Sequence, residues 1–200
     1  MIFMGLMITS GMSVTALAGG DAEKGSFMVA NCTICHGQDG NSLSGSFPKL
    51  AGQGEKYLLK QLRDIKSGAR NAPGMTGQLD ALSDKDFQDV AAFYAGQPVQ
   101  RGTADAAIVA QGETIYRAGI ARKQITACTA CHLPDGSGNA LAGFPALAGQ
   151  WPAYTVSQLK AFRDGARTND GDGKMMQGVT RDMSDKEIEA VATYVHGLGE

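Results

Sequence analysis

All four cysteines of this 200-residue chain fall in two five-residue frames, CTICH at 32–36 and CTACH at 128–132, which also hold two of its three histidines. Thiols and imidazoles at this spacing can do four things. Tetrahedral zinc needs four ligands in one compact site, yet the two pairs lie 96 residues apart in separate repeats. A disulfide inside C-x-x-C closes too small a loop to stabilise much. A thioredoxin-like redox pair belongs in a βαβ context, which the sequence does not show. The remaining chemistry is covalent attachment of haem c: two thiols add to the vinyl groups, and the adjacent imidazole binds iron. The frames therefore predict two covalently bound haem c groups. Cys32, Cys35, Cys128 and Cys131 attach them, and His36 and His132 are the first axial ligands.

Each iron then needs a sixth ligand. His196 is the only other histidine and its counterpart in the first repeat is Ala95, so bis-histidine ligation of both irons is excluded. His196 is expected to be an exposed or helix-end residue. Methionine is the alternative. Met75 and Met176 correspond across the repeat, whereas Met175 aligns with Gly74 and Met183 with Leu82. Both candidates are flanked by Gly and Pro in segments read as loops, and they are the predicted axial sulfurs. Met183 instead reads as a hydrophobic staple ahead of the Ser184 cap.

The elements that must position these residues are helical and duplicated. FPKLAGQGEKYLLKQL from Phe47 matches FPALAGQWPAYTVSQL from Phe144 at an offset of 97, and GAR recurs at Gly68 and Gly165. Tyr57, Leu58, Gln61, Leu62 and Ile65 share one helical face, as do Tyr154, Leu159 and Phe162. Ser83 with Asp86, and Ser184 with Glu187, read as capping boxes opening terminal helices. A short helix is predicted before each frame, over 22–31 and 104–118. No alternating strand pattern is present, so the fold class is all-α. The seam falls at 96–102, where Pro and Gly end one helix before Thr103 caps the next. The expected domains are 19–100 and 101–200. Residues 1–18 are apolar and uncharged and end in A-x-A, the pattern of a signal peptide without its usual preceding Lys or Arg. An uncleaved anchor is the alternative. The mature protein is expected to begin at Gly19 in the periplasm, with peripheral membrane association left open.

Composition excludes some partners. A net charge of −2 gives no field for nucleic acid. The chain resembles the dihaem cytochrome c4 family over about 19–199, through both C-x-x-C-H frames, FPKLAGQ, MTG, FPALAGQ and RTNDGDGKMMQGV. The resemblance implies two tandem class I cytochrome c domains packed head to head, His/Met ligation at both irons, and electron transfer to a terminal oxidase. It also implies that the Pro48 and Pro145 carbonyls accept from the haem-binding histidines; a rigid turn is the other explanation for these prolines. Tyr57 and Tyr154 could bond a propionate or simply fill core. The NDGDG run at 169–173 fails the register of a calcium loop and reads as a turn.

A closed His/Met site favours electron transfer over catalysis. The expected role is a monomeric two-domain carrier between a quinol-oxidising complex and a terminal oxidase. The alternatives are the electron-accepting subunit of a flavoprotein dehydrogenase and, further off, a dihaem peroxidase. Lys49, Glu55 and Lys56 become Ala146, Pro152 and Ala153 in the second repeat, so the two haems are expected to differ in potential.

Overall fold

The computed structural model describes residues 19–199, and the expected signal segment lies outside them. The first repeat carries α1 (Ala22–Met28), α2 (Ala30–His36), α3 (Glu55–Ser67) and α4 (Asp84–Ala95). The second carries α5 (Val109–Ala118), α6 (Thr129–His132), α7 (Pro152–Arg163), α8 (Met175–Thr180) and α9 (Asp185–Gly197). Among the described residues there are no strands, only isolated bridges at Ile120–Ile125 and Asn139–Phe144.

Each domain is built on a crossing of its first and last helices: α1 packs on α4, and α5 on α9. The crossings demand glycine. A Cβ at Gly25 would lie 2.1 Å from the Asp89 carbonyl oxygen, and one at Gly112 would lie 2.0 Å from that of Ala190. No side chain fits there, so the backbones touch. Around the second crossing Ile115, Tyr116, Ile188, Val191 and Val195 form the core; around the first, Val29, Leu58, Val90, Ala91 and Tyr94 do. Both predicted capping boxes are present: Ser83 and Ser184 accept from the N–H three residues on, while Asp86 and Glu187 accept from the cap N–H. Each box satisfies two donors that a helix start otherwise leaves unpaired.

Two helices differ from expectation. The helix predicted over 22–31 breaks at Val29, and its second piece, α2, carries the first frame itself. Thr103 caps nothing, and α5 begins only at Val109. The cause is tertiary: Gly102 N–H donates to the His196 carbonyl (3.1 Å), and Asp105 N–H to the Thr193 hydroxyl (2.8 Å). Residues 102–105 are thereby committed to α9 before a helical turn can form.

The domains meet through reciprocal contacts. Lys49 N–H donates to Gln150 Oε1 and Gln150 Nε2 donates back to the Lys49 carbonyl, both at 2.9 Å. Ala146 N–H donates to Gln53 Oε1 (2.7 Å) and Gln53 Nε2 to the Ala146 carbonyl (3.0 Å). Gln53 and Gln150 correspond in the repeat, as do Lys49 and Ala146, so the interface is self-complementary about a pseudo-twofold axis. The connecting segment is bound to this interface. Asn41 holds the Pro98 carbonyl and the Gln100 N–H (2.9 and 2.8 Å). Val99 abuts both LAGQ turns: a Cβ at Gly52 would lie 2.3 Å from its Cγ2, and one at Gly149 would lie 2.9 Å from its Cγ1.

Candidate haem sites

In the first domain Cys32, Cys35 and His36 share α2; in the second Cys128 is the N-cap of the four-residue α6, which ends at His132. All four cysteines are free and half-buried. Burial pushes the Cys128 thiol up to about 11 and the Cys32 thiol above its usual value. Both sulfurs are thereby held neutral, the state in which thioether formation leaves them.

Both frame histidines are buried. His36 Nδ1 lies 2.9 Å from the Pro48 carbonyl oxygen, and His132 Nδ1 lies 2.8 Å from that of Pro145. A carbonyl only accepts, so Nδ1 carries the proton in each ring and Nε2 keeps its lone pair for a metal. Burial also lowers the pKa of both imidazoles, which holds them in the neutral, ligating form. Phe47 and Phe144 flank the two rings at the same centroid distance, 6.4 Å. The residue after each histidine turns the chain at positive φ. Gly37 does so at φ 81°, ψ 161°, whereas Leu133 is held at φ 64°, ψ 159°, a region otherwise nearly confined to glycine. Tyr116 donates to the Leu133 carbonyl at 2.7 Å and pins it there.

The sulfur candidates lie on other segments. Met75 ends a single 3-10 turn (Pro73–Met75), and Met176 is the second residue of α8, a short helix where a loop was expected. Met75 and Met176 are half-buried, while Met175 is 51% exposed. Met183 is core, packed with Ile188. His196 ends α9, as expected, but is buried rather than exposed. Its ring stacks on Trp151 at 5.1 Å and Nδ1 contacts the Gln150 carbonyl at 3.1 Å. The NDGDG run forms a turn in which Asp170 accepts from Gln177 N–H and Nε2 (3.0 and 2.6 Å).

Sequence reasoning missed one cluster. Arg70 donates to Gln61 of its own domain and to Tyr154 and Gln158 of the other (2.9, 2.8 and 3.0 Å). Arg167 mirrors it, donating to Gln158 of its own domain and to Tyr57 and Gln61 of the other (2.7, 3.1 and 3.0 Å). Burial raises the Tyr57 hydroxyl, but the Arg167 and Arg70 charges outweigh it and its pKa falls. Neither guanidinium has a carboxylate partner among the described residues. A buried and a half-buried cation without anions are costly and suit the carboxylates that a haem brings. The Tyr94 hydroxyl beside Cys32 is likewise buried without a partner. These residues fit the group. The signal available in sequence was identity at the 97-residue offset in Gln61/Gln158 and Arg70/Arg167, at otherwise variable polar positions.

The Cytochrome c family model matches residues 22–95 and again 109–199. Cytochrome c4 of Stutzerimonas stutzeri is 50% identical, with 98% of each chain covered. The chain belongs to the cytochrome c4 family. The crystal structure of reduced recombinant cytochrome c4 from Pseudomonas stutzeri superposes with a TM-score of 0.88, at 53% identity, over 90% of this chain and 99% of that one. The chain is thus a dihaem electron-transfer cytochrome of two cytochrome c domains, not an enzyme, and the peroxidase alternative lapses. A further relative of this chain, 40% identical over 84% of it and 79% of its own length, is the "Thiosulfate dehydrogenase electron acceptor" of Stutzerimonas stutzeri. No described helix is long and apolar enough to cross a membrane.

Proposed function

We propose that this protein carries electrons in the periplasm from a quinol-oxidising respiratory complex to a terminal oxidase. Cys32 and Cys35, and Cys128 and Cys131, attach the two haems; His36 with Met75, and His132 with Met176, are the axial pairs. When bound, each haem supplies reversible one-electron chemistry. The chain's part is to hold the ligands still. The observation carrying this reading is the pair of buried histidines, each with Nδ1 committed to a proline carbonyl, which fixes ring orientation and leaves Nε2 for iron. A site closed on both faces admits no substrate, and rigid ligands keep reorganisation on electron transfer small. The half-burial of Met176 beside the exposed Met175 supports the choice of sulfur.

Two experiments test it. Met176→Ala is expected to remove half of the sulfur-to-iron charge-transfer absorbance and lower one potential, while Met175→Ala leaves both unchanged; the reverse outcome would reassign the ligand. Purified protein mixed with quinol and a quinol-oxidising complex should be reduced, and then reoxidised by a terminal oxidase. A second reading, acceptor for a dehydrogenase, is supported by the thiosulfate-dehydrogenase acceptor relative. Reduction by such an enzyme with thiosulfate, or by a flavoprotein dehydrogenase, and not by the quinol-oxidising complex would favour it.

A further inference from the structure

The reciprocal glutamines do more than join the domains. The Pro48 carbonyl and the Lys49 N–H are two ends of one peptide group, and no peptide bond among the described residues is cis. Its oxygen accepts from His36 Nδ1 (2.9 Å) and its N–H donates to Gln150 Oε1 of the other domain (2.9 Å). The Pro145–Ala146 peptide repeats this: its oxygen accepts from His132 Nδ1 (2.8 Å), and its N–H donates to Gln53 Oε1 (2.7 Å). We infer that Gln53 and Gln150 are positioning residues for the iron-ligating histidine of the opposite domain, each acting through a single peptide group.

Geometry and polarisation both support this. Each amide oxygen also accepts from its own following N–H, of Gly54 (3.1 Å) or Trp151 (3.0 Å), and each amide nitrogen donates back across the interface. The side chain can neither flip nor swing without breaking three bonds, so the peptide plane and the carbonyl direction are set from the other domain. A peptide whose N–H is bonded places more charge on its oxygen, and hydrogen bonds in such chains strengthen one another by about 10–30%. A stronger acceptor at Nδ1 makes the imidazole a better donor through Nε2, which favours ferric iron. Loss of a glutamine should therefore raise the potential of the haem in the other domain.

The inference rests on His36 and His132 being the ligands, and the test separates the two. In the intact dihaem protein, Gln150→Met keeps volume and removes both bonds to Lys49 together with the local one from Trp151 N–H. The expected result is a roughly threefold shift of the one-electron equilibrium toward reduction, about 28 mV, at the haem bound by His36, with a smaller change at the other. Gln53→Met should show the opposite pattern. The Nδ1–H proton resonance of the affected histidine should move with it, and Gln150→Glu, which keeps the acceptor, should restore that resonance toward its parent position. Shifts confined to the variant's own domain, equal shifts at both haems, or none, would overturn the inference. Parting of the domains, seen by small-angle scattering, gives equal shifts and counts against it. If His36→Ala left both low-spin spectra intact, the ligand assignment would fail instead.

Discussion

The two domains share a helix crossing, a haem frame and a proline-to-histidine bond, yet each is secured by different means. Gly25 and Gly112 are 87 residues apart while the frames are 96 apart, so the second domain has nine more residues between crossing and frame. That added segment carries Arg122 and Lys123, which reach the Glu187 carboxylate at 3.2 and 2.7 Å. Glu187 is a buried capping-box residue held from two sides; its counterpart Asp86 is capped only locally and is half-buried. The turn after the frame is relaxed in the first domain, at Gly37, and strained in the second, at Leu133. Lys49 is buried beside the first histidine's peptide, with Nζ 4.9 Å from the Trp151 ring centroid and bonded to the Gln100 carbonyl; Ala146 offers nothing similar. The repeats agree in the frames, the histidine-to-proline bonds and the paired glutamines, and differ in the turns and ion pairs around them.

The shared feature should break both halves equally. Gly25→Leu and Gly112→Leu each force a helix crossing apart at a backbone carbonyl, and each should cost its own domain about 3 kcal/mol, read as a lowered thermal transition. A large effect in only one domain would show that the crossings are not equivalent. The unequal caps come next. Glu187→Ala should cost about 1.5 kcal/mol, discounted for the solvent open to Arg122, and Asp86→Ala should cost less. Burial raises the Glu187 carboxyl, but Lys123 and the Ser184 N–H and hydroxyl outweigh it and leave its pKa below the usual value. A depressed folded-state pKa gives stability that is present above the unfolded value, ~4.3, and lost as pH falls through the folded one. The deficit of Glu187→Gln at pH 7 should accordingly shrink below about pH 4.

Leu133→Gly should stabilise the second domain by about 1 kcal/mol by relieving its backbone. Gly37→Leu should do the reverse, since a Cβ there would lie 2.6 Å from the Asn41 carbonyl oxygen. Denaturant titration of each variant checks both. The smallest effect belongs to Lys49→Met. Removing a buried positive charge disfavours the added electron, so the first haem's potential should fall by about 20–30 mV, a two- to threefold change. Equal movement of both haems would show that Lys49 acts on the interface rather than on one site.

Much of this was legible in the chain because spacing carried it. The C-x-x-C-H frames, the duplication and both capping boxes are local patterns whose chemistry follows from residue type and interval, while the part of the two prolines came only through the family resemblance. The start of α5 was not legible, since Gly102 and Asp105 are claimed by α9, an element some 90 residues downstream. His196 read as a polar helix end because nothing in sequence announces a tryptophan stacking on it. Gln53, Gln150, Arg70 and Arg167 were overlooked because single polar residues give no periodic signal; their partners lie in the other domain. Only their recurrence at one offset marks them.

Val99 adds a constraint on how such a molecule can be assembled. It sits where the two LAGQ turns converge, and its forked side chain gives one methyl to Gly52 and the other to Gly149. One residue therefore serves two copies of the same turn. Two separate single-domain chains meeting in the same way would bring two such segments to a place with room for one. Their symmetry would have to break, or one tail would be left out. Joining the copies into a single polypeptide removes that competition, so covalent fusion here resolves a steric conflict as well as keeping the halves together.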